Sequence, residues 1–463
     1  MSEPTNATIF IKDVLVIDPV EGFLGKRNIA ILDHVIIKVS SANFEVCDNA
    51  KIIDAKDKYL IPGLWDAHVH FDYIPELASS MFDLFLLYGV TSVRDTGGRL
   101  EEVLEWKKKS LENPSKAPRV MIAGPLVDGS PSVYDGSHPS RPPLGVESAT
   151  VEEARAKVRE LATAGVDLIK AYEMLSAEQL QAVTDEARRH NLKVTGHVPL
   201  SMDVIQASVA GLNSIEHMRN LEMSCISDLE EQKAIRQGML VVGAKEEGGI
   251  LRSRIHAAQR AYALDNQDAK ATERVLASLK ENDVWQIPTL SIMTAISKRQ
   301  FLREDYRATF DLLPKEVGDG WKERSSVFGQ SEVSESMEKY TSWFLAMTKR
   351  INDNDIPIMA GTDCPIFFLT PGYSLHEELS LLVEAGLTPL EAIHAATLRP
   401  ATYFDMEDSL GKIDEGYEAD LLLLNSNPIS DIKNTLDIHA VIKAGELYDR
   451  RSLSNIKDRL VGM

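Results

Sequence analysis

The sequence predicts an α/β chain built on a parallel (β/α)8 barrel of the TIM type, with a second, smaller β-sandwich domain assembled from both chain ends. Three observations carry this expectation. Between residues 60 and 400, short strand-like runs alternate with capped helices, the pattern of parallel βα units. These runs fall at 62–70, 90–96, 119–126, 166–172, 192–198, 212–218, 284–291 and 356–363, the number that closes such a barrel. Outside this region the rhythm is lost, and Ile/Val/Leu-rich runs follow one another with turns between them. The expected division is therefore a discontinuous β domain at 1–59 and 402–463, with the barrel at 60–401.

Residues 8–18 and 27–40 are rich in Ile and Val, with Asp18, Pro19 and Gly22 as turn residues between them, and KIIDAK adds a third short strand. The apolar run that follows ends in IPGLWDAHVHFD. LASSMFDLFLLY has helical apolar spacing and stops at Gly89, the residue type expected just past a helix. Thr150 with Glu153 and Ser176 with Gln179 form capping boxes for the next helices, and Thr388, Pro389 and Glu391 do so for LEAIHAAT. After His217 the alternation breaks. The charge- and alanine-rich stretch 223–280 predicts an inserted helical excursion of lid type, and a further helical stretch, 296–354, precedes IPIMAGTD. Towards the C-terminus, Gly411, Gly416, Asn427–Pro428 and Gly445 punctuate strands.

Composition narrows the function. With 50 Lys+Arg against 70 Asp+Glu, the formal net charge is −20, which repels phosphate backbones and anionic membrane surfaces. Nucleic acid and membranes are thus not expected as partners, whereas a small-molecule substrate is, and a homo-oligomer is compatible. The three cysteines, Cys47, Cys225 and Cys364, are too scattered for a disulfide framework and fit a reducing cytoplasm. The first residues, MSEPTNATIFIKD, lack a basic start followed by a long apolar stretch, and no later run reaches about 18 apolar residues.

In a barrel of this kind the chemistry lies at the C-terminal ends of the strands. His68 and His70 end the first run, and alternate residues of a strand share a face, so the pair can point into one site. His197 ends the fifth run, His217 the sixth and Asp363 the eighth, while Lys170 stands on the fourth. A lone strand-end histidine is usually structural, but four of the 11 histidines converge here on one mouth. Imidazole and carboxylate together are what a borderline divalent ion requires. Lys170 has two readings: a lysine paired with Asp167 near the surface, or a chemically altered one near metal, since an ammonium beside cations is repelled.

The pair in DAHVH, the lysine in DLIKAY, the histidines in VTGHVP and SIEHM, and the aspartate in MAGTDCP resemble the amidohydrolase superfamily. The nearest branches are the imidazolonepropionase-related and Xaa-Pro dipeptidase-like ones, and ATLRPATYF and LGKIDEGYEADLLLL resemble the family's closing signature. The resemblance spans nearly the whole chain and implies two divalent metal ions, with zinc the expected element. His68, His70 and Asp363 would hold the more buried ion, His197 and His217 the more exposed one, and a carboxylated Lys170 would bridge them. Asp363 would also serve as the catalytic base and then acid. Single-metal deaminases of this superfamily place a glutamate three residues after the fifth-strand histidine; here that residue is Leu200, which points away from deamination.

The expected activity is hydrolysis of an amide bond in a dipeptide or N-acyl compound by a hydroxide shared between the metals. Lactone or phosphotriester hydrolysis, and a non-catalytic scaffold, are the alternatives. Tyr172 and His138 are candidate substrate contacts, each with a packing or loop reading beside it. Phe367 and Phe368 could line a pocket or pack a loop, and Cys364 reads as a packing residue.

Overall fold

The computed structural model describes residues 4–138 and 140–462, so the outer limits expected for the β domain, residues 1 and 463, lie outside the described residues. The chain opens with β1 (Ile9–Asp18), β2 (Gly22–Leu32), β3 (Val35–Ser40), β4 (Lys51–Asp54) and β5 (Tyr59–Pro62). There follow β6 (Leu64–Val69), β7 (Val90–Asp95), β8 (Arg119–Ile122), β9 (Leu126–Asp128), β10 (Gly145–Glu147) and β11 (Leu168–Ala171). After them come β12 (Lys193–Gly196), β13 (Ser214–Glu216) and β14 (Trp285–Ile287), and the chain ends with β15 (Leu421–Leu424), β16 (Ile438–Lys443) and β17 (Glu446–Tyr448).

Strands from both ends share one eight-stranded sheet in the order β17-β16-β15-β5-β1-β2-β3, with β4 paired to β1. Its strands alternate as a two-sided sheet should. Leu421 and Leu423 face a core made with Ile9, Ile11, Ile29 and Ile31. Leu422 and Leu424 instead join the main core of the helical and parallel part.

That part contains two parallel sheets, β6-β7-β8 and β10-β9-β11-β12-β13-β14. Every residue of β6, β7 and β11 is buried, as expected where helices cover parallel strands. Hydrogen bonds link the two sheets on both sides. Asp167 donates its backbone N–H to Ile122 O (2.8 Å). On the other side, residues 357–364 run between β14 and β6: Gln286 N–H donates to Pro357 O (2.9 Å), and Ala67 N–H donates to Ala360 O (2.9 Å).

The expected capping boxes are present at Thr150/Glu153, Ser176/Gln179 and Thr388/Glu391. The 223–280 stretch contains helices at Leu229–Val242, Gly248–Asp265 and Ala269–Glu281. No helix among the described residues is long and apolar enough to cross a membrane.

The strands differ from expectation in ways the backbone explains. The run 62–70 is divided at Gly63, and Tyr59–Pro62 belongs to the mixed terminal sheet, parallel to β1 and antiparallel to β15. The run 119–126 is interrupted at Gly124 (φ 74°) and Pro125, giving β8 and β9. The run 284–291 ends at Ile287, because Pro288 has no N–H to donate and Thr289 turns left-handed (φ 49°). The expected eighth strand, 356–363, is no regular strand; it is held by isolated parallel bridges, Gln286↔Ile358 and Val69↔Cys364.

Close packing of the parallel strands sets a requirement at Gly196, the last residue of β12. A Cβ there would lie 2.1 Å from the Ala171 carbonyl oxygen of β11. Gly165 contrasts with it: its φ is 87°, but an added Cβ would meet nothing within 4 Å. Urea denaturation is expected to show Gly196→Ala losing about 2–3 kcal/mol through overpacking. Gly165→Ala should lose only about 1 kcal/mol, from the left-handed backbone.

Candidate metal centre and active site

β6 delivers the first two histidines. Its last residue is Val69, so His68 lies within the strand and His70 one residue past it, both buried. Their Nε2 atoms are 3.2 Å apart, and each lies 3.1 Å from Asp363 Oδ1. These three residues alone among the described ones group their donor atoms within 4.8 Å, a metal-ligand spacing. Asp363 Oδ1 is buried and accepts no hydrogen bond, and His68 Nδ1 is likewise unpartnered. An orphaned carboxylate oxygen flanked by two imidazole nitrogens suits a cation.

His217 and His197 continue the ring. His217 Nε2 is 3.7 Å from Asp363 Oδ2, and its ring centroid lies 4.9 Å from those of both His68 and His197. Three of the four histidines have their other nitrogen engaged. His70 Nδ1 donates to Gly97 O (2.8 Å) and His197 Nδ1 donates to Glu173 Oε1 (2.6 Å). Thr289 Oγ1 gives its proton to Pro288 O, so it accepts from His217 Nδ1 (2.6 Å). A protonated Nδ1 leaves the Nε2 lone pair free, the tautomer a metal ligand needs. His217 and Asp363 both leave their segments at positive φ, 59° and 71°, in the left-handed region.

The electrostatics match this arrangement. Burial lowers His68 to about 3 and holds His197 and His217 well below the ordinary imidazole range, whereas His70 is raised, its contact with Asp363 outweighing burial. Burial opposes the charge on Asp363, but His68 and His217 outweigh it and hold the carboxyl well below its usual range. Lys170 is buried on β11 with its Nζ in contact with Glu216 Oε2. Asp167, its alternative partner in the sequence, pairs instead with Lys107 (2.7 Å). Burial, with help from Arg94, pulls the Lys170 amine well below its ordinary value.

The cavity between these groups is also lined by Tyr73, Leu126, Tyr134, Leu144, Tyr172 and Ile366 and encloses about 30 Å³, the scale of an ion or a water molecule. Tyr172 therefore joins the site, its ring 4.4 Å from that of His197. His138 does not. It is exposed, its Nδ1 lies 2.8 Å from Ser140 Oγ, and it is not part of the lining. Phe367 and Phe368 pack against Phe301 at 5.6 and 5.1 Å, and Ile366 takes the wall position instead. Cys364 is a buried packing residue whose N–H donates to Thr362 Oγ1 (3.0 Å).

Several residues of the site are not legible in the sequence. Glu173 binds His197, and Glu216 meets Lys170 and accepts from Arg94 (3.2 Å) and Thr195 (2.7 Å). Asp66 accepts from the N–H groups of His68 (3.2 Å) and Thr362 (3.0 Å) through Oδ1, and from the Thr362 hydroxyl (2.7 Å) through Oδ2. The only local signal was adjacency, since Glu173 follows Tyr172, Glu216 precedes His217 and Asp66 opens DAHVH.

A model of the Amidohydrolase family matches residues 59–448. The chain belongs to this family. It is accordingly a hydrolase acting on carbon–nitrogen bonds. Ochratoxinase of Aspergillus niger is 26% identical over 445 residues, covering 84% of this chain and 75% of that protein. Imidazolonepropionase of Geobacillus thermodenitrificans is 29% identical over 119 residues, 23% of this chain and 27% of its own. Among solved structures, a Xaa-Pro dipeptidase with bound methionine in its active site superimposes with a TM-score of 0.68 at 20% identity, covering 95% of this chain and 99% of that one. This last likeness places the amidohydrolase chain in the same α/β fold.

Burial pushes the Asp66 carboxyl up to about 7, and an amide can reproduce its contacts, presenting Oδ1 to both N–H groups and an N–H to the threonine. Asp66→Asn is expected to cost less than about 1 kcal/mol in urea denaturation. Asp66→Ala, which leaves those buried donors unpaired, should cost about 2–4 kcal/mol.

Proposed function

We propose that this amidohydrolase is metal-dependent and cleaves the amide bond of a small molecule, of the dipeptide or N-acyl kind. In this reading His68, His70 and Asp363 hold one divalent ion, His197 and His217 hold a second, and carboxylated Lys170 joins the two. The expected element is zinc. The observation that carries the proposal is the convergence of two Nε2 atoms on a buried, unpartnered Asp363 oxygen. The (β/α)8 barrel with a small β-sandwich, divided at 1–59 and 402–463, is the architecture that goes with it. The linked parallel sheets and the two-faced terminal sheet support that architecture.

Divalent ions at such a site supply Lewis acidity to an attacking water and to the scissile carbonyl. The remaining steps fall to side chains. Asp363, kept ionised by His68 and His217, can accept the proton of the attacking water and deliver it to the leaving nitrogen. Lys170, with its amine below the ordinary range, is disposed to the neutral form that forms an N–C bond with carbon dioxide and releases one proton. Tyr172 and Tyr134 pack edge to face at 5.8 Å and form an aromatic wall that restricts water beside His197. The names of the relatives, an ochratoxinase and a Xaa-Pro dipeptidase, support an amide substrate.

Elemental analysis of the purified protein is expected to give about two divalent metals per chain, and removal by a chelator should abolish turnover until metal is restored. Asp363→Asn should lower kcat by about 10³-fold with the melting temperature kept. Full activity in a metal-replete Asp363→Asn protein would contradict the assigned role. Screening N-acyl amino acids, dipeptides, lactones and phosphotriesters should show turnover of the amides, and turnover confined to the last two classes would overturn the substrate assignment.

A further inference from the structure

Glu173 stands just past β11 and is completely buried, yet it carries more partners than its position predicts. Oε1 accepts from His197 Nδ1 (2.6 Å) and from Arg252 Nε (3.0 Å), while Oε2 meets His256 Nε2 (2.5 Å). Arg219, two residues after His217, brings its Nε to 3.5 Å of Oε1. Four basic groups from three separate parts of the chain therefore share one carboxylate. Two of them, Arg252 and His256, lie one helical turn apart on the helix Gly248–Asp265, inside the inserted stretch. The same helix packs Leu251 and Ile255 against Leu200, three residues after His197. Arg252 also reaches over the Tyr172 ring, 6.0 Å from its centroid.

The geometry points to Glu173 as a positioning residue through which the inserted helix governs the His197/His217 side of the metal centre. This rests on the two-metal reading above and adds to it a division of labour within the chain. His70 takes its orientation from the Gly97 carbonyl and His217 from Thr289, so neither depends on the insertion. His197 alone is oriented by a side chain that the insertion itself grips. The carboxylate makes the imidazole a stronger donor, and the two insertion groups prevent the carboxylate from turning away. Loss of the grip should then weaken the ion at His197 and leave the ion at His68, His70 and Asp363 in place. Arg252 and His256 touch neither ion in this arrangement and act through Glu173.

The test counts metal and does not depend on turnover. Zinc-loaded wild-type protein, Glu173→Ala, Glu173→Gln and the double variant Arg252→Met/His256→Gln are dialysed against a graded zinc chelator and analysed for metal per chain. Circular dichroism monitors the fold in parallel. Wild type is expected to lose its two ions in separate steps. Glu173→Ala and the double variant should lose the weaker ion at 10- to 100-fold lower chelator strength, with the tighter ion unchanged. Glu173→Gln, whose amide oxygen can still accept from His197, should fall between wild type and Glu173→Ala. The double variant keeps Leu251 and Ile255, so the helix retains its apolar contacts if Glu173→Ala proves unable to fold. Both ions held with wild-type strength in the double variant would overturn the inference and leave the two-metal reading intact. A wild-type protein that binds a single ion would overturn both.

Discussion

A carboxylate that never reaches the cavity sets its geometry. Asp66, fully buried in β6, ties the backbone of His68 to the backbone and hydroxyl of Thr362, 296 residues away from it in sequence. Around this tie, Asp363 N–H donates to His68 O (2.8 Å) and His70 N–H donates to Cys364 O (2.9 Å). Gly361 completes the approach, since a Cβ there would be 2.9 Å from that of His68. The first and last contributors to the candidate metal site are thus one hydrogen-bonded unit. Their 3.1 Å side-chain separations follow from backbone register and need no flexible adjustment.

Around that unit the charges are arranged in layers. The inner layer consists of three imidazoles pulled below their usual range, His70 raised beside Asp363, a lysine amine pulled below its usual range and one carboxylate held low. The next layer carries the compensating ion pairs: Arg94 with Glu216 beneath Lys170, and Arg252 with Glu173 behind His197. A buried charge left without a partner is costly, so these outer pairs are part of what keeps the inner groups in their unusual protonation states.

Much of the site was legible because it is written in local patterns. DAHVH, VTGHVP, SIEHM and MAGTDCP each place a ligand-type side chain at the end of an apolar run, and the structure brings His68, His70, Lys170, His197, His217 and Asp363 to one cavity. Capping boxes were readable for the same reason, since their partners are three residues apart. Strand lengths were less so. Gly124, Pro288 and the left-handed residues His217 and Thr289 shorten the strands at their C-terminal ends, where the chain must turn to aim side chains inward. The 356–363 run looked like a strand from its apolar content, but Pro357 lacks a donor and the segment pairs only at isolated points.

The sequence by itself determined the chemistry available: which donor groups exist, their order along βα units, and the family they belong to. Only the tertiary structure decided which of them meet. His138 and Tyr172 were both candidate substrate contacts, the loop reading being the stronger for His138, and burial separated them, placing Tyr172 against His197 and leaving His138 on an exposed loop. Glu173 and His256 stand 83 residues apart, and no local pattern announces their contact. The physical reason is the same in each case. Ligand type is a property of single residues, whereas orientation, protonation state and second partners are properties of buried contacts between segments remote in the chain.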